Sequence, residues 1–185
     1  MKTTILIIDM LNDFFLEGRL NENKEKLCQK INDLVQWGRK NNLPIIWVRQ
    51  EFRDDLQDAF LVMKKNQIRK TIENTKGAQI LKELKQNKTD NEIVKKRYSA
   101  FYKTGLDNIL EEKGIKQLIL CGINTHACVR MAAIDAYQRD LEVIIASDCV
   151  DSYDKEHHEI SLRYLNGDIA RVLDNQQIMK TCLPL

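Results

Sequence analysis

The 185-residue sequence predicts a three-layer α-β-α domain built on a mostly parallel, doubly wound sheet. Two observations carry that expectation. Short β-branched runs alternate with longer amphipathic segments, the pattern of βαβ units whose crossover helices cover both faces of a parallel sheet. The length fits one domain over residues 1–185, able to bury about 70% of the unfolded surface without a disulfide or metal staple.

Each element follows from local pattern. Thr4 to Ile8 reads as a buried first strand, and Lys24 to Asn41 as its crossover helix, with Leu27, Ile31, Leu34 and Val35 at helical spacing. Pro44 opens a second strand, Ile45 to Arg49. From Asp54 to Asn74 the chain is polar and only intermittently apolar, which suits an irregular or helical excursion forming a lid or an oligomer contact. Glu92 to Lys95 is a short third strand, Leu106 to Glu112 a helix, Gln117 to Cys121 strand four, Ala127 to Arg139 a helix and Glu142 to Ala146 strand five. His157 to Asn166 reads as helical, and Gln177 to Lys180 as a last edge strand.

Composition narrows the function. A net charge of +2, spread without a basic block, gives no footing for phosphate-dominated nucleic-acid binding. Cys28, Cys121, Cys128, Cys149 and Cys182 are odd in number and form no CxxC pair, so reduced thiols in a cytoplasmic protein are expected. No apolar stretch approaches the roughly 18 to 20 residues of a membrane span, and the N-terminus runs into a strand without a signal-peptide core. The first strand is followed by DMLNDFF and not by a GxGxxG phosphate turn, which disfavours a dinucleotide-dependent oxidoreductase.

Three groups lie at carboxyl ends of predicted strands, the side of an open α/β sheet where ligands bind. Asp9 closes the first strand, where a carboxylate is partly buried or else caps the following turn. In EIVKKRYSAF, strand alternation lets one cation of Lys95, Lys96 and Arg97 enter the crevice, while a charge run is otherwise a solvated face. Cys128 stands where a helix begins after the turn CGINTHAC. A helix N-terminus and a nearby Lys95 are expected to lower its pKa, with Asp9 taking the proton; the alternative is a small buried hydrophobe.

Together ILIIDMLNDFF, VKKRYSAFYKTGLDNIL and LILCGINTHACVRMAAIDAYQRDLEVIIASDCVDSY resemble, in order, the signature segments of the isochorismatase-like cysteine hydrolases, which include nicotinamidases and N-carbamoylsarcosine amidohydrolases. The resemblance covers nearly the whole chain and is weakest from Phe52 to Asn74. It implies an acid/base at Asp9, a charge-stabilising lysine at Lys95 and a nucleophile at Cys128. It also implies a cis peptide between Ile123 and Asn124, which would let the N–H groups of Asn124 and Cys128 converge on an oxyanion. The implied activity is hydrolysis of a C–N bond in a small amide or carbamoyl substrate, through a thioester and without a cofactor, in a homodimer or homotetramer.

One departure is clear. Nicotinamidases carry a histidine-bearing metal loop after strand two, whereas IIWVRQEFRDD has no histidine, so no catalytic metal is expected. His157 and His158, adjacent on a helix, diverge by about 100° and suit structural roles. A Cys128–His126 dyad within the turn is disfavoured by the tight spacing. Phe14, Arg49, Tyr98 and Phe101 are candidate substrate contacts, with Gln50, Phe15 and Tyr102 nearby; Arg49 equally suits an acidic partner, and the aromatic residues suit the core. Two rival readings remain: ether hydrolysis of the isochorismatase type, and a non-catalytic interaction domain of the same fold.

Overall fold

Near-continuous apolar runs such as TTILII and QLILCGI belong in strands covered on both faces, because a half-exposed strand would alternate apolar with polar. In the computed structural model, which describes residues 1–182, they form the centre of one six-stranded parallel sheet. The strands are β1 (Thr3–Ile8), β2 (Ile45–Gln50), β3 (Asn91–Lys95), β4 (Gln117–Ile123), β5 (Glu142–Asp151) and β6 (Arg171–Leu173). Their order is β3-β2-β1-β4-β5-β6, so β1 and β4 are neighbours from which the chain winds outward in opposite directions. The loops diverge above this switch point and leave a crevice at the carboxyl ends of the strands.

Alternation along each strand divides the core into two layers. Leu6, Ile8, Ile46, Val48, Leu118 and Leu120 face one side. They pack there under α3 (Leu106–Lys113), α4 (Arg130–Tyr137) and the end of α5 (Lys155–Leu165). Ile5, Ile7, Ile45, Trp47, Ile119 and Cys121 face the other, against α1 (Gly18–Lys40) and α6 (Asn175–Thr181). On α1, Leu27, Ile31, Leu34 and Val35 are all buried, as their spacing predicts. No helix among the described residues is long and apolar enough to cross a membrane.

Helix α1 begins at Gly18 and not Lys24, β5 runs on to Asp151 and not Ala146, and two elements differ in kind from the sequence reading. Residues 177–180 lie in α6 and not in an edge strand; the edge is β6. Asp174 explains the difference, because its carboxylate accepts from the Gln177 N–H while the Gln177 side chain reaches back to the Asp174 N–H, a capping box that commits the segment to helix. The predicted helix from Ala127 begins instead as a π-helical turn, Thr125–Val129, closed by the bond from the Val129 N–H to the Asn124 carbonyl at 3.2 Å. Helix α4 continues from it.

The excursion after β2 contains α2 (Leu61–Asn66) and a small core of its own formed by Phe52, Leu56, Ala59, Met63 and Ile72. It is fastened to the loop after β1. Asp13 accepts from the Thr71 N–H at 2.6 Å, and the Asn12 amide donates to the carbonyls of Lys76 and Gln79 at 2.9 and 3.0 Å. On the β3 side, Lys96 pairs with Asp58 at 3.0 Å. These ties place the excursion beside the crevice.

Candidate active site

β1 ends in a residue whose backbone leaves the extended region. Asp9 has φ +54°, a left-handed conformation that costs a non-glycine residue of order 1–3 kcal/mol but that aspartate tolerates better than most. Its N–H still donates to the Val48 carbonyl at 2.9 Å. The side chain is 1% exposed, and it meets the Lys95 ammonium at 2.7 Å. Lys95 is the last residue of β3; alternation turns it inward, while its neighbours Lys96 and Arg97 turn to the excursion.

Lys95 has no exposed surface, so each ammonium proton needs an acceptor inside the protein. It finds Asp9, the Arg97 carbonyl at 3.0 Å, the Cys128 sulfur at 3.3 Å and, more weakly, the Gln50 side-chain oxygen at 3.4 Å. Burial opposes the charge, but Asp9 and Cys128 outweigh it and hold the Lys95 pKa above its ordinary value. Among the described residues no hydrogen bond meets either Asp9 oxygen, and the carboxylate is held by its ion pair with Lys95.

The sulfur departs from the sequence expectation. Cys128 retains 5% exposure, and burial pushes its thiol up to about 12, more than Lys95 lowers it, with Asp9 raising it further. The expected lowering by a helix N-terminus and a cation is overridden by burial, which disfavours the charged thiolate. The Lys95 ammonium donates to the sulfur and pairs with the Asp9 carboxylate, so the nearest carboxylate to the thiol is held beside it by a shared cation.

The turn before Cys128 is closely built. The Ile123–Asn124 peptide is cis. Gly122, at φ +104°, lies so close to β1 that a Cβ would overlap the Ile8 carbonyl, which only glycine avoids. The Asn124 side chain accepts from the Tyr153 N–H at 3.2 Å. A recess of about 340 Å³ opens beside Asn124, lined by Asp13, Phe14, Leu16, Glu17, Leu20, Lys70, Asn124 and Tyr153. It lies at the lower end of the size range of small-molecule sites.

The remaining candidates separate cleanly. Phe14 and Asn124 stand in the recess wall. Arg49 does not face it: its guanidinium binds Glu51 and Glu92, each at 2.8 Å, which hold it above its ordinary pKa despite the opposing effect of burial. Strand parity explains the correction, since Gln50 and not Arg49 is in register with Lys95 and turns into the cleft. Phe101 is 3% exposed in the core, with the Arg139 guanidinium 4.3 Å from its ring centre. Tyr98 is 49% exposed and stacks on Phe60 at 4.7 Å. His126 faces Ser152 and not the thiol, with Nδ1 2.8 Å from the Ser152 hydroxyl. The sequence reading missed Asp13, Leu16, Glu17, Leu20, Lys70 and Tyr153, which reach the recess only because separate segments converge there.

Residues 3–177 match the isochorismatase domain family. This chain belongs to the isochorismatase family. Among curated proteins, the isochorismatase-family chain is 30% identical to an uncharacterized isochorismatase family protein of Bacillus subtilis, covering 95% of this chain and 96% of that one. It is likewise 30% identical to a probable inactive nicotinamidase of Arabidopsis thaliana, over 86% of each chain. Its fold is similar to an isochorismatase-like hydrolase from Alkaliphilus metalliredigens, with TM-score 0.87, 27% identity and coverage of 98% and 100%. It is also similar to a Bacillus subtilis nicotinamidase/pyrazinamidase, with TM-score 0.83, 28% identity and coverage of 94% and 100%. The chain is a hydrolase of the isochorismatase family.

Proposed function

We propose that this protein hydrolyses a C–N bond of a small amide or carbamoyl compound, with Cys128 as nucleophile, Asp9 as acid/base and Lys95 as charge stabiliser. The observation that carries the reading is the meeting of these three side chains, from the ends of β1 and β3 and the turn after β4, within 2.7 and 3.3 Å of the Lys95 nitrogen.

Burial raises the thiol's pKa, so attack and proton transfer proceed together. As the sulfur forms its bond to the substrate carbonyl carbon, the thiol proton passes to Asp9. The N–H groups of Asn124 and Cys128 stabilise the developing oxyanion, a donor each worth about 2.7 to 4 kcal/mol in comparable sites. The tetrahedral adduct collapses by breaking the C–N bond, and protonated Asp9 gives its proton to the departing nitrogen. Asp9 then takes a proton from water as that water attacks the thioester, and returns it to the sulfur when the acid leaves. Lys95 keeps its charge throughout and offsets the carboxylate. No step calls on a cofactor or metal.

Ammonia release from a panel of small amides and carbamoyl compounds tests the reading. Wild-type protein is expected to turn over at least one of them, and Cys128→Ala to lose that turnover by more than about 10³-fold; full activity in Cys128→Ala ends the proposal. The family match favours a second reading, ether hydrolysis of the isochorismatase type, in which Asp9 protonates an ether oxygen and Cys128→Ala retains most activity. The likeness to a probable inactive nicotinamidase favours a third, a non-catalytic domain, supported if nothing in either substrate class turns over. With the first reading go a single hydrolase domain over residues 1–185, a cytoplasmic location, no nucleic-acid partner and a homodimer or homotetramer, the last checked by sedimentation.

A further inference from the structure

All three histidines of the chain, His126, His157 and His158, gather around the turn that carries Cys128. Two of them serve local partners: His126 bonds to Ser152, and the exposed His157 bonds to Asp154, the N-cap of α5. The third reaches under the nucleophile turn. His158 Nδ1 lies 2.9 Å from the hydroxyl of Thr125, the first residue of that turn, which has no exposed surface.

The proton count fixes the direction of this bond. The Thr125 hydroxyl has one proton, and it donates that proton to the Asp151 carbonyl at 3.1 Å. Towards His158 it can only accept, so Nδ1 carries a proton and donates. Asp151 is itself anchored. Its carboxylate takes the Arg19 guanidinium at 2.7 Å, the Asn23 amide at 2.8 Å and the Ser152 N–H at 2.8 Å. Arg19 also donates to the Ser152 carbonyl at 3.1 Å. Beside the β4–β5 pairing of Ile123 with Asp151, a chain of hydrogen bonds thus runs from α1, through the end of β5, to Thr125 and on to α5.

We propose that Thr125 and His158 are positioning residues, whose hydrogen bond clamps the turn from behind and holds the Cys128 sulfur in the closed cleft against Lys95 and Asp9. A buried hydroxyl could have been replaced by a methyl if only packing were needed; its two partners come from two elements that would otherwise meet the turn by contact alone. Neither residue hydrogen-bonds to the sulfur. Burial lowers the pKa of His158. The groups facing that ring are Asp151, Arg19, Glu159 and His126.

The inference rests on Cys128 being the reactive group, but its test needs no substrate. Alkylation of the full chain by iodoacetamide is followed at Cys128 by peptide mass spectrometry across alkaline pH. Releasing the clamp opens the sulfur to water and lets its titration fall towards the ordinary thiol range. At about pH 8, His158→Leu and the near-isosteric Thr125→Val are therefore expected to react about tenfold faster than wild type. His158→Asn, whose amide nitrogen can stand where Nδ1 stands, is expected to stay within about twofold of wild type, and the double variant to react no faster than either single one. Thermal melts by circular dichroism accompany each protein, and Thr125→Ser, which keeps the hydroxyl, serves as the folded control. Wild-type rates in both Leu and Val variants, a His158→Asn protein indistinguishable from His158→Leu, or additive effects in the double variant would each overturn the proposal. If the variants behave as expected while no amide is hydrolysed, the clamp stands and the amidase reading falls.

Discussion

The Lys95 nitrogen lies 2.7 Å from an Asp9 oxygen, and the two side chains keep 0% and 1% of their surface exposed. Such a pair is held by mutual need, since either charge left alone in the interior is far costlier than the pair. Lys95→Met and Asp9→Asn are each expected to lose about 3 to 5 kcal/mol of stability by urea unfolding if the remaining partner stays charged. The double variant Asp9→Asn/Lys95→Met should regain part of that loss. Strict additivity would show that the two charges do not stabilise each other.

Alkaline pH should weaken the fold through the same cluster. The Cys128 thiol is pushed up to about 12 from an ordinary 9.0, so between these values the unfolded chain has released a proton that the folded chain still holds. Stability therefore falls as pH rises through this window. Lys95, raised above its usual 10.5, and Cys28, pushed up to about 11 chiefly by burial, act in the same direction. Removing the thiol in Cys128→Ala should flatten the decline by up to about 1.4 kcal/mol per pH unit, read from urea midpoints at successive pH values. An unchanged slope would place the thiol in an ordinary, solvated state.

Arg49 and Gln50 are adjacent in sequence but face different surroundings, and their variants should separate accordingly. Arg49→Ala removes partly exposed ion pairs with Glu51 and Glu92, costing about 1 kcal/mol or less, and leaves turnover near wild type. Gln50→Ala removes a contact to the Lys95 ammonium and is expected to lower kcat/KM about tenfold or more on whichever amide is hydrolysed. The reverse order would move the substrate to the Arg49 side of the strand.

Gly122→Ala tests the closeness of β1 to the nucleophile turn. An added Cβ would collide with the Ile8 backbone, which cannot swing aside as a side chain can, and φ +104° is strained for alanine. A loss of more than about 3 kcal/mol is expected in thermal unfolding. Near-wild-type stability would show that the turn can move away from β1.

Much of the fold was legible because burial on both faces writes itself into sequence as unbroken apolar runs, as in Ile5–Ile8 and Leu118–Cys121. The addresses of Asp9, Lys95 and Cys128 followed from those runs, since each comes at or just after a strand end. Other features depend on contacts between distant segments. That Gln50 and not Arg49 enters the cleft is set by the register of β2 on β3. That residues 177–180 are helix is set by the reciprocal bonds of Asp174 and Gln177, a pair three positions apart that a β-reading overlooks.

Local periodicity and motif spacing, being properties of the chain, already carry the layered parallel sheet, the family and the order in which a carboxylate, a cation and a thiol reach one edge of it. The burial that raises the thiol's pKa comes from loops that meet only in the folded chain. The tertiary structure alone brought Thr125, Asp151 and His158 together behind the turn, since hydrogen bonds between residues some thirty positions apart leave no periodic trace.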